Sequence, residues 1–154
     1  MKSRLSLLLV MVAFSATAAL ATDFGVHAGY YGNDLKEAFV GADLVLPFGP
    51  VALVPNIDYS RSHGIGYWFG SADLDLRYAT SGGPSYWFGA GPTYGYFTGY
   101  GKTNPGEPDT EKEWGYDANA GFGWSAGGFK PYVTGRYIKI KEFKTLGAAI
   151  GLRF

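Results

Sequence analysis

The residues best suited to chemistry form an alternating series of carboxylates and cations along strand-like stretches. A carboxylate beside a histidine can exchange protons or bind a metal, and one beside an arginine can form a buried ion pair. Asp73, Asp75 and Arg77 are two positions apart, so they point to the same side of an extended chain. The residues that share this side are His27, Asp43, Asp58, Asp73, Asp75, Arg77, Asp117, Lys130, Arg136 and Arg153.

The signs of these charges nearly balance, which favours a structural role over a reactive one. A charge left unpaired in a narrow interior is costly, so charges that share such an interior must pair. We therefore interpret the set as a network of ion pairs and hydrogen bonds that fills the interior of the fold. A proton or ion path and a small ligand site are the functional alternatives that the pattern leaves open.

The sequence offers little for metal, cofactor or catalytic chemistry. It contains no cysteine, and its two histidines, His27 and His63, are not spaced like metal ligands. Ser62 and His63 are a nucleophile and a base, but a Ser-His pair in a polar loop is usually only solvated. Gly99 and Gly101 lack the Gly-Lys-Ser/Thr ending of a phosphate-binding loop. We predict no metal, no cofactor and no catalytic residue.

Eight segments alternate apolar and polar residues as strands do, and they must position the charges. Each is long enough to cross a bilayer at a tilt, which takes about 9–11 residues. In each one the apolar residues lie on the side opposite the charges. The predicted strands cover residues 22–31, 37–46, 51–60, 67–79, 85–98, 113–126, 129–139 and 144–154.

The composition fits a tightly curved sheet. Aromatic residues make up 18% of the chain and glycines number 24, which suits strands that bend and cover exposed backbone with a neighbouring ring. A membrane-spanning helix needs about 18 or more consecutive apolar residues, and no stretch beyond the N-terminal segment is that long. We expect any membrane crossing to be made by strands.

The N-terminus is typical of a secretory signal peptide. Lys2 and Arg4 precede an apolar stretch from Leu5 to Ala19, and Ala19-Leu20-Ala21 is a small-x-small cleavage site. The predicted organisation is a signal peptide over 1–21 and one domain over 22–154. Cleavage removes two of the 13 basic residues and leaves 13 acidic ones, and no basic run suggests nucleic acid.

The connections differ between the two ends of the predicted sheet. Residues 47–50, 81–84 and 126–128 form short Gly- and Pro-containing turns, whereas 32–36, 61–66, 100–112 and 140–143 are polar connections. Two similar aromatic triplets, 67–69 and 86–88, each lie near the start of a predicted strand. Because consecutive strands run antiparallel, the triplets should lie at opposite ends of the sheet. Pro55 and Pro92 fall inside strands, so we expect a bulge or a local break at each.

The last strand carries the clearest pattern. Leu146, Ala148, Ile150, Leu152 and Phe154 lie on one face, and small residues with a single Arg153 lie on the other. Such a strand suits a barrel with lipid outside and a tight polar lumen inside.

This strand resembles the C-terminal strand of bacterial outer-membrane β-barrels, which ends in Phe after alternating apolar residues. The resemblance implies an all-β fold, a transmembrane antiparallel up-and-down β-barrel of eight strands similar to the OmpA-type and OmpX-type barrels. It also implies that Phe154 is part of a signal read by the barrel-insertion machinery. Outer-membrane lipid and lipopolysaccharide would then be its surroundings.

The expected function is a non-enzymatic structural, adhesion or surface-interaction role in the bacterial outer membrane. The polar segment 100–112 is the best candidate for contacting an extracellular ligand, because loops carry function on a rigid scaffold. The alternatives are a narrow pore for small solutes and a lipid A-modifying enzyme that uses Ser62 and His63. A soluble lipocalin-like barrel would place the apolar side inside instead.

Overall fold

A computed structural model describes residues 23–80, 83–99 and 110–154 of the chain, which form one closed antiparallel barrel. The signal peptide predicted over 1–21 lies outside these residues. The strands are β1 (Asp23–Tyr31), β2 (Glu37–Phe48), β3 (Val51–Ser62), β4 (Ile65–Ala79), β5 (Ser85–Thr98), β6 (Thr110–Gly123), β7 (Lys130–Ile140) and β8 (Phe143–Arg153).

Each strand pairs with the next in the chain, and β8 returns to pair with β1. Backbone hydrogen bonds between Phe24 and Phe154, at 2.9 and 3.1 Å, complete this seam. The prediction of eight antiparallel up-and-down strands in a barrel is confirmed. No helix in the described ranges is long and apolar enough to cross a membrane.

The outer face of the barrel is apolar and carries two aromatic belts. The end that holds Asp23 and Phe154 is called here the terminal end, and the opposite end the distal end. Trp68 of the distal belt and Tyr78 of the terminal belt are ten residues apart on β4. This separation is about 33 Å along the strand, which becomes about 25 Å along the barrel axis at a strand tilt of about 40°. A typical lipid-facing band has about this height.

The two aromatic triplets lie at opposite ends of the barrel, as the sequence predicted. Their outward-facing members are Trp68 in the distal belt and Tyr86 and Phe88 in the terminal belt, and their other members face inward. The distal belt consists of Tyr30, Tyr59, Trp68, Tyr94, Tyr96, Trp114, Tyr116 and Tyr137, and the terminal belt of Phe24, Phe48, Tyr78, Tyr86, Phe88, Phe122, Trp124 and Phe154.

Pro55 and Pro92 each interrupt the ladder without changing its register. The β2–β3 pairing runs from Phe39↔Ser60 to Asp43↔Asn56 and resumes at Leu46↔Leu53, so it is broken opposite Pro55. The β4–β5 pairing is broken in the same way opposite Pro92. Each proline lacks the backbone N–H that would donate a hydrogen bond to one of its two neighbouring strands. The pairing is therefore broken toward that strand and kept toward the other. Leu44, predicted to face outward, is buried beside the Pro55 break.

The predicted difference between short turns and longer loops is wrong for two distal connections. β3 and β4 are joined by His63 and Gly64 alone, both at positive φ (48° and 88°), which is the conformation of a two-residue type I′ hairpin turn. β7 and β8 are joined by two residues, 141–142. Residues 100–109 of the predicted third loop lie outside the described ranges, and 110–112 belong to β6, which begins three residues earlier than predicted.

The lumen is only partly polar, which corrects the expectation of a polar interior. Its middle carries the charged side chains, but its distal part is filled by a cluster of apolar and aromatic side chains. The reason is space: small residues of β8 leave room for large rings, and a Cβ at Gly147 would lie 2.6 Å from the ring of Tyr31. The cluster, here called the aromatic plug, consists of Tyr31, Leu35, Phe39, Phe69, Phe97, Ile138, Ile140 and Ala149, with Tyr67 and Phe143 against it.

Candidate functional site

Arg136 of β7 lies at the centre of the charged interior and contacts carboxylates from three other strands. Its Nη1 donates to Asp58 Oδ2 at 2.8 Å, its Nε lies 3.1 Å from Asp117 Oδ2, and its Nη2 lies 3.4 Å from Asp73 Oδ2. These carboxylates are about 1% exposed or less. One guanidinium therefore compensates negative charge on β3, β4 and β6 at once, using its several N–H donors.

A second branch joins β1, β2 and β3 through His27. Its Nε2 donates to Asp58 Oδ1 at 2.7 Å, and its Nδ1 lies 2.9 Å from the Tyr132 hydroxyl oxygen. Tyr132 donates its own proton to Asp43 Oδ2 at 2.6 Å. His27 and Tyr132 therefore connect the carboxylates of Asp58 and Asp43.

The terminal end of the network rests on aromatic rings. Arg153 donates to Asp43 Oδ1 at 3.0 Å and lies over the rings of Trp87 and Tyr132, at 4.7 and 4.3 Å from their centroids. Arg77 also lies over the Trp87 ring, 4.9 Å from its centroid. Cation–π contacts of this kind let guanidinium groups remain buried next to apolar surface.

Amide side chains complete the connection between the carboxylates. Asn119 donates to Asp73 Oδ2 at 2.9 Å and to Asp75 Oδ1 at 3.1 Å, and Arg77 reaches Asp75 at 3.4 Å. The structure thus brings nine of the ten charged residues predicted to share the inner side into one connected set. Lys130, by contrast, lies at the terminal rim, where it pairs with Asp23 at 2.5 Å.

The lumen is closed in its middle, between a cavity of about 240 Å³ at the terminal mouth and one of about 380 Å³ at the distal mouth. The middle holds a cavity of only about 20 Å³, lined by polar groups that include Arg136 and Asp73. Such a space holds about one water molecule, which needs about 10–15 Å³ of this measure. Four buried oxygens have no hydrogen-bond partner among the described residues: Asn56 Oδ1, Asp73 Oδ1, Thr93 Oγ1 and Asp117 Oδ1.

The aromatic plug closes the lumen on the distal side, and sequence reasoning did not identify it. Tyr31 stacks on Phe39 with centroids 4.0 Å apart and meets Phe69 edge-on at 5.7 Å. Its hydroxyl also donates to Asp58 Oδ2 at 2.6 Å, which ties the plug to the charged network. The available signal was the inward parity of Phe39, Phe69 and Phe97 near the distal strand ends.

Charge at the distal rim is segregated by face. The outward-facing charged residues of the described strands are all basic and all lie near the distal end: Arg61, Lys112, Lys139 and Lys144. The inward-facing charged residues at the same level are acidic, namely Glu37, Glu111 and Glu113. The wall therefore presents positive charge to its surroundings and negative charge to its own mouth.

Ser62 and His63 are in contact but lack the arrangement of a catalytic pair. Ser62 Oγ donates to Glu37 Oε1 at 2.9 Å and lies 2.8 Å from His63 Nδ1. Glu37 therefore contacts the serine rather than orienting the histidine, which is the reverse of a triad. Ser62 is buried at the rim while His63 is exposed in the hairpin turn. These contacts describe a rigid turn.

The described residues include no group of three or more His, Cys, Asp or Glu side chains placed to hold a metal ion. The carboxylates of the interior are instead directed at arginine, histidine, tyrosine and asparagine donors.

The closed ladder, the apolar outer face with two aromatic belts and the filled interior define an eight-stranded transmembrane β-barrel. No protein-family model matches the chain, and no curated protein matches it by sequence. Solved structures do match it in three dimensions.

The N-terminal β-barrel domain of Pseudomonas aeruginosa OprF gives a TM-score of 0.63 at 14% identity, covering 87% of this chain and 98% of that one. Neisserial surface protein A gives 0.63 at 11% identity, with 85% and 92% covered. Ail, the attachment invasion locus protein of Yersinia pestis, gives 0.59 at 13% identity, with 86% and 98% covered. Ail has also been solved with the heparin analogue sucrose octasulfate, with a TM-score of 0.57 to this chain. At these identities the likeness establishes the fold.

Proposed function

We propose that the protein is a non-enzymatic barrel of the bacterial outer membrane with a structural or surface-interaction role. The observation that carries this proposal is the closed lumen. The ionic network around Arg136 and the aromatic plug fill the middle of the barrel between the two mouths, leaving a central space of about 20 Å³. A rigid, filled barrel is suited to hold a surface in place and is not suited to pass solutes.

Measurement of conductance tests this proposal against the narrow-pore alternative. We expect the purified barrel, inserted in planar lipid bilayers, to show no steady single-channel conductance, because the network offers no continuous water path. A porin in the same bilayers is the positive control. Reproducible ion conductance by the folded, heat-modifiable form would overturn the proposal and favour the pore.

The fold and the belts support a location in the outer membrane. In outer-membrane barrels with an even number of strands both termini lie on the periplasmic side, so the distal end would face the exterior. Export would require cleavage of the predicted signal peptide 1–21 and would leave the barrel domain 22–154. Recovery of the protein from the soluble fraction, or a mass that still includes residues 1–21, would contradict this assignment.

Phe154 supports a role of β8 in assembly. Its side chain is 59% exposed on the outer face, while its backbone closes the seam to Phe24. An exposed terminal aromatic on the closing strand fits the proposed recognition by the barrel-insertion machinery. The same residue would then serve first as a signal and afterwards as a member of the terminal belt.

Lys139 and Lys144 support contact with lipopolysaccharide. They are direct cross-strand partners on the outer face of β7 and β8, and like charges in that position repel unless an anion lies between them. Phosphate groups of lipid A lie at this level of the outer leaflet if the distal end faces outward. The outward-facing basic residues near the distal end fit that partner as a group.

Neutralising the pair tests this contact. We expect Lys139→Gln/Lys144→Gln to weaken stabilisation of the barrel by lipopolysaccharide by about 1 kcal/mol per lysine. The measurement is thermal unfolding in nanodiscs with and without lipopolysaccharide. Lys130→Gln at the terminal rim is the matched control and should keep the full stabilisation. Equal stabilisation of the double variant and the native barrel would refute the contact.

The surface-interaction part of the proposal concerns the distal end. Residues 100–109 of the predicted ligand-contacting segment lie outside the described ranges, so its role remains a proposal from the sequence. Ail has been solved with a polysulfated heparin analogue. The inward-facing carboxylates Glu37, Glu111 and Glu113 would repel such an anion from the mouth of this barrel, so any shared surface role would involve a ligand of different charge.

A further inference from the structure

The distal mouth of the barrel contains a cavity of about 380 Å³ that the structural role leaves unexplained. Its floor is the outer surface of the aromatic plug, formed by Tyr67, Phe97 and Phe143. Its rim carries four carboxylates, which are Asp34 from the β1–β2 connection, Glu111 and Glu113 from β6, and Glu142 from the β7–β8 turn. A rigid aromatic floor beneath a charged rim is the general form of a small-ligand site.

The floor is a triangle of three rings in mutual contact. Tyr67 and Phe97 are cross-strand partners of β4 and β5, with centroids 5.5 Å apart. Phe143 reaches across the lumen from β8 and lies 6.4 Å from Tyr67 and 6.2 Å from Phe97. Phe69 supports the triangle from below at 5.9 Å from Phe143. Their mutual contacts and the support from Phe69 hold these rings in place before any ligand arrives.

The rim is acidic beyond what its own cation neutralises. Glu111 lies directly opposite Phe97 in the β5–β6 ladder, and Glu142 is adjacent to Phe143 in the chain. Glu113 pairs with Lys141, the single basic residue among those that line the cavity in the described ranges. Asp34 accepts a hydrogen bond from the backbone N–H of Lys144. Glu111 and Glu142 thus have no ion-pair partner within the described part of the chain.

We propose that this mouth binds a small organic ammonium ion. A quaternary or alkyl ammonium group is attracted by the electron-rich faces of the rings and by the carboxylates, and its apolar body fits the aromatic floor. A neutral ligand would gain only the apolar contacts with the aromatic floor, and an anion would be repelled by the carboxylates of the rim. The segregation of charge also favours this choice, since the basic residues of the distal strands face away from the mouth and only Lys141 of the β7–β8 turn is basic among the described residues that line it.

Choline is the probe, and its neutral isostere 3,3-dimethylbutan-1-ol is the matched comparison. Binding is measured by calorimetry and by NMR shifts of Tyr67 and Phe143 in a maltoside detergent, which lacks a choline headgroup. We expect choline to bind at least about tenfold more tightly than the isostere, because only the cation gains the ring and carboxylate interactions. Equal affinities would overturn the proposal.

Two variants assign the binding to this mouth. Glu111→Gln/Glu142→Gln should reduce choline affinity by at least about fivefold, and Phe143→Leu by about threefold. Asp23→Asn, a carboxylate at the other mouth, is the control and should bind choline as the native barrel does. Heat-modifiability confirms that each variant is folded. Unchanged affinity in the Glu111→Gln/Glu142→Gln variant, or binding of sucrose octasulfate in competition with choline, would refute the site.

The inference rests on the proposed function only in assuming that the distal mouth is exposed to the cell exterior. Choline binding is measured on the purified barrel and does not depend on orientation or on conductance. A conducting lumen would overturn the closed-barrel proposal and leave the choline result to be judged separately.

Discussion

Replacing Arg136 with methionine is expected to destabilise the barrel by about 3–5 kcal/mol, the usual penalty for removing one partner from a buried ion pair. Methionine keeps most of the side-chain volume, so the effect reports lost charge rather than a new cavity. Asp58, Asp73 and Asp117 would lose a shared guanidinium while remaining almost fully buried. Urea unfolding in detergent micelles, followed by tryptophan fluorescence and by gel mobility, gives the free energy.

A control and a rescue separate the network from a general effect of arginine. Arg61→Met, on the outer face near the distal end, should change stability by no more than about 0.5 kcal/mol. Adding Asp58→Asn, Asp73→Asn and Asp117→Asn to Arg136→Met should restore much of the loss, because a neutral buried group no longer requires the cation. Native stability of Arg136→Met alone would show that the network contributes little.

Replacing Gly41 with valine is expected to cost about 1–3 kcal/mol or more through overpacking. A Cβ at this position would overlap Asp58 Oδ1 and His27 Nε2 and would lie 2.7 Å from the carbonyl oxygen of Ile57. Because the last contact is backbone, the strand must shift or the 2.7 Å bond between His27 and Asp58 must break. Unfolding measurements give the loss, and the NMR signals of the His27 ring report the broken bond.

Gly70→Val is the matched control for Gly41→Val. Gly70 pairs with Ile57 from the other side of β3, yet a Cβ there would meet nothing within 4 Å. Since valine favours strands, this substitution should be neutral or stabilising. Equal losses at Gly41 and Gly70 would mean that glycine serves backbone bending rather than space for the network.

Strand number and facing were predictable because they depend on local alternation. Trp68, Leu74 and Ile150 lie on the outer face as their parity requires, and all three are at least 40% exposed. A period of two residues can be recognised in the sequence alone, and it is still recognised when a strand end is misplaced by a few residues. The exceptions are local, as at Leu44, where the break opposite Pro55 changes the surroundings of a residue with outward parity.

The pairing of charges and the depth of the plug could not be predicted in the same way. Asp58 and Arg136 are 78 positions apart, and only the register and closure of the barrel bring them to 2.8 Å. The plug was missed because glycine and alanine on the inner face of β8 were interpreted as the lining of a polar space. Their effect is to admit rings from other strands. The His63-Gly64 turn was missed because a polar sequence was interpreted as a longer loop.

The distribution of the network along the chain has a consequence for assembly. Strands β1 to β4 contribute Asp43, Asp58, Asp73 and Asp75 with His27 and Arg77, and β6 adds Asp117, whereas β7 and β8 contribute Arg136 and Arg153. The part of the network that precedes β7 is therefore mainly acidic, and the part on the last two strands is basic. The last two strands and the earlier ones attract each other across the open sheet, so closure and burial of charge are expected to occur in one step.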